Sequence, residues 1–133
     1  MNHSNRKYFE PAAIARSVLI VEDDDDSREM LVELIGMLGH RAVGSANASD
    51  ALRVAENEVP DVVLIDIGLP DASGCDIARS LRAFPNGRRM RLVALTGYSD
   101  SATRQLAAEA GFDDFVVKPF SSENLADLLN HQL

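Results

Sequence analysis

The chain has 133 residues, 46% hydrophobic and 26% charged, with a formal net charge of -8. That length suits one domain around one core, and the mixture is that of a folded chain and not a disordered one. The acidic balance argues against direct nucleic-acid binding and against an anionic membrane surface; the single cysteine, Cys75, excludes an internal disulfide, and no apolar run is long enough to span a membrane.

Residues 1–16 are polar with scattered apolar positions and contain Pro11 but no signal-peptide apolar core, so they read as a leader or linker, poorly ordered or loosely docked, ahead of a domain over 17–133. The expected location is the cytoplasm. The domain starts with SVLIV, a short apolar run of strand type. Residues 26–38 carry Met30, Leu31, Leu34, Ile35 and Leu38 at helical spacing, with Asp26 and Glu29 resembling a capping box and Gly39 a stop. RAVGSA is a weaker strand, and residues 48–58 form a short helix ended by Pro60. DVVLID is a clear buried strand. GLPDASG reads as a loop on its Gly and Pro, followed by a helix over 75–84 with Ile77 and Leu81 inward. PNGRR is a turn and RLVALT a fourth strand. A helix over 101–110 stops before Gly111, DFVVK is a fifth strand, and Ser121 caps a last helix carrying Leu125, Leu128 and Leu129.

Strands alternating with helices predict an α/β domain with a parallel sheet covered on both faces, and in such sheets sites form outside the carboxyl ends of the strands. The first strand is followed by five consecutive carboxylates, Glu22 to Asp26. Asp24 and Asp25 read as solvated and Asp26 as a helix cap, but Glu22 and Asp23 directly end a buried strand and call for a positive partner. Asp66 ends the third strand, Thr96 the fourth and Lys118 the fifth. Taken alone, Asp66 could equally begin a turn, and a lone Thr or Lys at a strand end has no specificity. Together they place three carboxylates, a hydroxyl and an ammonium on one rim. A carboxylate is a competent nucleophile toward phosphorus, and phosphoryl transfer needs its equatorial oxygens neutralised.

The stretches VLIVEDD, DVVLIDIGLP, VALTGY and FVVKPF, in that order and each at a strand end, resemble the response-regulator receiver domain, the phosphoacceptor module of two-component signalling. The similarity runs from about Ser17 to the C-terminus. It implies a flavodoxin-like fold, a doubly wound five-stranded parallel sheet in the order 2-1-3-4-5 with five helices. By position, Glu22 and Asp23 resemble the acid pair that holds Mg²⁺ or Mn²⁺, joined by Asp66 and a backbone carbonyl, that of Gly68. Asp66 resembles the phosphorylated aspartate; Thr96 and Lys118 resemble the residues that contact the phosphoryl group. Phe115 stands at the aromatic switch position, where many members carry tyrosine. Gly68 and Tyr98 occupy the positions that border the approach of water and so bear on phosphate lifetime. The family peptide bond at Lys118–Pro119 is typically cis.

The implied function is acceptance of a phosphoryl group from a histidine kinase or phosphotransfer protein. Its consequence is a change in the surface of the fourth helix, fifth strand and fifth helix. The implied chemistry is self-phosphorylation and self-dephosphorylation only, so no enzyme on external substrates is expected. The alternative is a receiver-like binding module that is never phosphorylated, whose usual sign, a missing acid or lysine, is not present. Haloacid-dehalogenase-type phosphatases and topoisomerase-primase-like metal sites want a second aspartate where this chain has Gly68. The chain departs from the family where Asp71, Ala72, Ser73 and Gly74 replace a GMDG-like loop. With no output domain before Leu133, the expectation is a stand-alone regulator or a receiver from a hybrid kinase. His3, His40 and His131 follow no metal-ligand spacing and read as surface residues. Cys75 reads as a small helix residue. Arg82, Arg88, Arg89 and Arg91 form a basic cluster, read as a solvated turn in preference to a docking site for an acidic partner.

Overall fold

The computed structural model describes residues 14–68 and 72–130. Five strands alternate with five helices among them: β1 Ser17–Val21, α1 Asp25–Met37, β2 Arg41–Ser45, α2 Ala48–Glu58, β3 Val62–Gly68, α3 Ala72–Arg82, β4 Arg91–Thr96, α4 Ser101–Ala110, β5 Asp114–Val117 and α5 Ser122–Asn130. The strands form one parallel sheet in the order β2-β1-β3-β4-β5. The sheet follows from the apolar runs. In β1, β3 and β4 both faces of the strand are buried, so successive side chains feed two cores. Leu19, Val21, Val63 and Ile65 pack with Ala51, Ala55, Ala78, Leu81, Ala107 and Phe112 on one side. Val18, Ile20, Val62, Leu64, Val93 and Leu95 pack with Leu31, Ile35, Leu125 and Leu129 on the other. Helices α1 and α5 therefore cover one face, and α2, α3 and α4 the other. Burying each fully enclosed Leu or Ile is worth ~1.5–3 kcal/mol, which makes these two layers the main source of cohesion.

The helix starts follow from short polar side chains that meet orphan amides. Asp24, not Asp26, caps α1: its carboxylate accepts from Ser27 N–H at 2.9 Å, and this bond holds the Asp24 carboxyl below its usual range. Asp24, Asp25 and Asp26 offered the same chemistry, and the cap falls on the one with extended backbone. Asn47 and Asp100 cap α2 and α4, and Ser121 caps α5 through Asn124 N–H. Helix α3 begins at Ala72, three residues earlier than the Gly-and-Pro reading of that loop placed it. Its Gly74 lies against β3: a Cβ there would stand 2.4 Å from Ile67 Cγ2. Gly111 ends α4 with φ at 105°, where a side chain would be strained.

Several expected surface residues are structural. His40 is only 6% exposed; its Nδ1 accepts from Arg16 N–H at 3.0 Å, and its Nε2 is buried without a hydrogen bond. Burial, aided by the Arg16 charge, pushes its pKa down. Arg82 and Arg91 are not solvated turn residues. The Arg82 guanidinium donates to the carbonyls of Gly111, Gly87 and Met90 and pairs with Asp113. Arg91 donates to the Leu128 carbonyl at 2.9 Å and pairs with Asp114. Arg88 and Arg89 are exposed. At the amino edge of the sheet, Ser17 N–H donates to the Asp61 carboxylate at 2.8 Å, Arg91 N–H donates to the Asp61 carbonyl, and Arg16 Nε donates to the Leu129 carbonyl at 2.8 Å. Most of the expected leader, His3, His131 and Asp71 lie outside the described residues.

Candidate functional site

The strand order makes β1 and β3 neighbours, with Val21 level with Ile65, so Glu22 and Asp66 leave adjacent strands side by side. On the other flank of β3, β4 brings Thr96 opposite Gly68, and the register shifts between Asp66 and Gly68. Such a break in the pairing re-aims side chains at the end of a strand. β5 pairs with β4 through Thr96 and Val117. The cis Lys118–Pro119 peptide follows, and Lys118 N–H donates to the Thr96 carbonyl at 2.7 Å.

Lys118 reaches across β4, and its Nζ lies 2.6 Å from Asp66 Oδ2. Such a charge-assisted contact is shorter and stronger than a neutral hydrogen bond. Glu22 lies on the other side of Asp66 and is 5% exposed. Burial pushes the Glu22 carboxyl up from 4.5 to about 7, and its hydrogen bond with Asp66, the Asp66 charge and a hydrogen bond with Asp23 push the same way. The Asp24 N–H, which donates to Glu22 Oε2 at 3.1 Å, opposes the shift. A Glu22 that keeps its proton can share the hydrogen with the Asp66 carboxylate; burial is the main reason to keep it, and the like charge of Asp66 adds to it. Asp23 is exposed at the mouth of the cluster. Thr96 is fully buried, and its Oγ1 accepts from Tyr98 N–H at 3.1 Å. Tyr98 itself is 43% exposed.

The donor set is all oxygen, which suits a hard divalent cation. Among the described residues no three His, Cys, Asp or Glu side chains are grouped tightly enough to enclose a metal by themselves. Mg²⁺ does not require that, because it keeps waters and takes one or two carboxylates plus a phosphoryl oxygen. The Glu22–Asp66 contact, in which a proton offsets one of two clustered negative charges, is where a cation would substitute.

Two residues near the rim escaped the sequence reading. Arg28 on α1 donates from Nη1 to the Glu22 carbonyl at 2.9 Å and from Nη2 to Asp25 at 2.6 Å. Its stem crosses β2 where Gly44 lacks a side chain; a Cβ there would stand 2.8 Å from Arg28 Cγ. The Asp25–Arg28 spacing of i, i+3 was the available sign. Arg104 on α4 places its guanidinium 5.0 Å from the centre of the Phe115 ring. No local pattern joins those two residues.

Fold and rim together define a flavodoxin-like α/β domain of the CheY type. The family model described as the response regulator receiver domain matches residues 18–130, and the chain belongs to that family. The chain is 31% identical over 112 residues to an uncharacterized 14.6 kDa protein of Leptolyngbya boryana, covering 84% of this chain and 86% of that one. It is 33% identical over 106 residues to the transcriptional regulatory protein KdpE of Mycobacterium tuberculosis, covering 80% of this chain but 46% of the relative. Other transcriptional regulators that it matches are likewise spanned for less than half their length. Among solved structures, it is similar to the receiver domain of the sensor histidine kinase PA1611 from Pseudomonas aeruginosa PAO1, which holds a magnesium ion in its active-site cleft. That likeness has a TM-score of 0.77 at 32% identity and covers 87% of this chain and 95% of the other. Among the described residues no helix is long and apolar enough to cross a membrane.

Proposed function

We propose that this receiver domain accepts a phosphoryl group on Asp66 from the phosphohistidine of a histidine kinase or phosphotransfer protein. The observation that supports this best is the setting of the Asp66 carboxylate, with the Lys118 ammonium 2.6 Å away on one side and the Glu22 carboxyl against it on the other. An Asp66 oxygen attacks phosphorus in line as the phosphorus–nitrogen bond breaks, and the imidazole leaves with its electron pair and takes up a proton. Lys118 stays beside the acceptor and offsets charge on the transferred oxygens. Thr96 donates its hydroxyl hydrogen to one of them. Glu22 and Asp23, with Asp66 and the Gly68 carbonyl, would hold Mg²⁺ or Mn²⁺, which supplies the remaining neutralisation when bound. The chain is then a phosphoacceptor and not an enzyme on external substrates; it acts in the cytoplasm by changing the surface of α4, β5 and α5.

The test is incubation with acetyl phosphate and Mg²⁺ followed by mapping of the hydroxylamine-sensitive acyl phosphate. Labelling of Asp66 is expected, with none in Asp66→Asn and none when EDTA removes the cation. A label elsewhere, or undiminished labelling of the variant, refutes the assignment.

A further inference from the structure

Arg104 makes two contacts that no other residue combines among the described ones. Its guanidinium stands over the Phe115 ring with 5.0 Å to the centroid, and its Nε donates to the Ser99 carbonyl at 3.2 Å. Ser99 is one residue beyond Tyr98, whose N–H donates to the Thr96 hydroxyl oxygen. A short chain of contacts therefore runs from the Thr96 hydroxyl through the 97–99 backbone to the Arg104 guanidinium and on to Phe115. Phe115 has no hydroxyl to anchor its ring by hydrogen bonding. What it has is a quadrupolar face, which attracts a cation.

We infer that Arg104 is a positioning residue that holds the loop after Thr96 and the Phe115 ring in one arrangement, the arrangement in which Lys118 is paired with the Asp66 carboxylate. The inference rests on the phosphoacceptor reading above and adds to it the residue that sets how readily the domain switches. When Thr96 moves toward a phosphoryl group, the backbone from Gly97 to Ser99 moves with it. When Phe115 turns, the face beneath the guanidinium is lost. Either motion costs Arg104 a contact, so the residue biases the two-state equilibrium against the phosphorylated packing. The guanidinium is suited to this because its planar fork can stack on a ring while its edge donates to a carbonyl.

The sign of the effect separates this role from simple electrostatics. Removing a positive charge near an anion site weakens anion binding on Coulomb grounds alone. Removing a contact that restrains the switch strengthens it. The experiment is a titration of the full chain with beryllofluoride and Mg²⁺, read by amide NMR shifts since the chain contains no tryptophan. Arg104→Gln is expected to bind about 2- to 5-fold tighter than wild type, the factor for losing a cation–π contact at an exposed site. Arg104→Lys keeps the cation and should stay nearer to wild type. In the Phe115→Leu background, Arg104→Gln should have little further effect. Unchanged or weaker binding by Arg104→Gln, or the same gain in the Phe115→Leu background, overturns the inference. A wild type that does not respond to beryllofluoride at all refutes the phosphoacceptor reading and this inference with it.

Discussion

Glu22 gives the domain a pH-dependent stability that a cation should cancel. The perturbation is Glu22→Gln, which keeps the shape and the hydrogen-bonding capacity but removes the ionisation. In the folded chain burial lifts the Glu22 carboxyl from 4.5 to about 7. Between those two values the unfolded chain has released the proton and the folded chain retains it, so folding takes up a proton and stability falls as pH rises. Above about 7 both states are ionised and the penalty is complete. A shift of that size is worth on the order of 3 kcal/mol, an upper value because Asp66 shares the proton. For a domain of this length that is roughly 10 °C in Tm. The assay is thermal unfolding of wild type and Glu22→Gln across that pH range, with and without Mg²⁺, reporting the difference between the two proteins so that titration of His40 cancels. Without metal, the variant should gain on wild type as pH rises toward 8. With Mg²⁺ the wild type should recover most of the lost stability and the variant much less. Parallel pH profiles for the two proteins would show that Glu22 does not hold its proton, and the account of the acid cluster given above would fail.

Two further outcomes follow from the geometry. Arg82→Ala leaves three carbonyls and Asp113 without their shared donor, and at about 1 kcal/mol for each of these four partly solvated charged bonds it should cost about 4 kcal/mol in urea unfolding; a loss under about 1 kcal/mol would mean that water replaces the guanidinium. The acyl phosphate of wild type should decay slowly in the absence of kinase, because Gly68 has no side chain to orient a water and Tyr98 offers a ring to cover the site. Gly68→Asn or Tyr98→Ala should decay faster, and slower decay in both would show that these positions do not shield the phosphate.

The strands β1, β3 and β4 were legible because their apolar runs are buried on both faces, and the bounds of α2, β4 and α4 could be read from periodicity and stops alone. The order of the sheet was not in the periodicity and came with the family resemblance. The chemistry of the rim was legible for a simple reason: Glu22 and Lys118 follow directly on a strand while Asp66 and Thr96 lie in the last residues of one, so chain order is also spatial order. What could not be read was anything held by contacts distant in sequence. Arg82 finds Gly111 and Asp113 across 29 and 31 positions, and Arg16 finds Leu129 across 113. A run of arginines beside a turn looks the same whether its side chains face water or a set of backbone carbonyls. His40 was misplaced for the same reason, since its ring meets the amide of Arg16, 24 positions away. The cap of α1 failed differently: three aspartates satisfied the local rule, and backbone conformation chose among them.

The hydrogen bond from Arg16 to the Leu129 carbonyl has a consequence for how such a domain is built into larger chains. It brings the point where the chain enters the sheet against the end of the last helix, both at the pole opposite Asp66. A domain whose entry and exit lie together can be spliced into or appended to another protein as a cassette, with little strain on either junction. A neighbour joined at either end would then start from the pole opposite Asp66. On the phosphoacceptor reading, it would sense the modification only through the flank of the domain, and the message would travel sideways along α4 and β5 before being handed down.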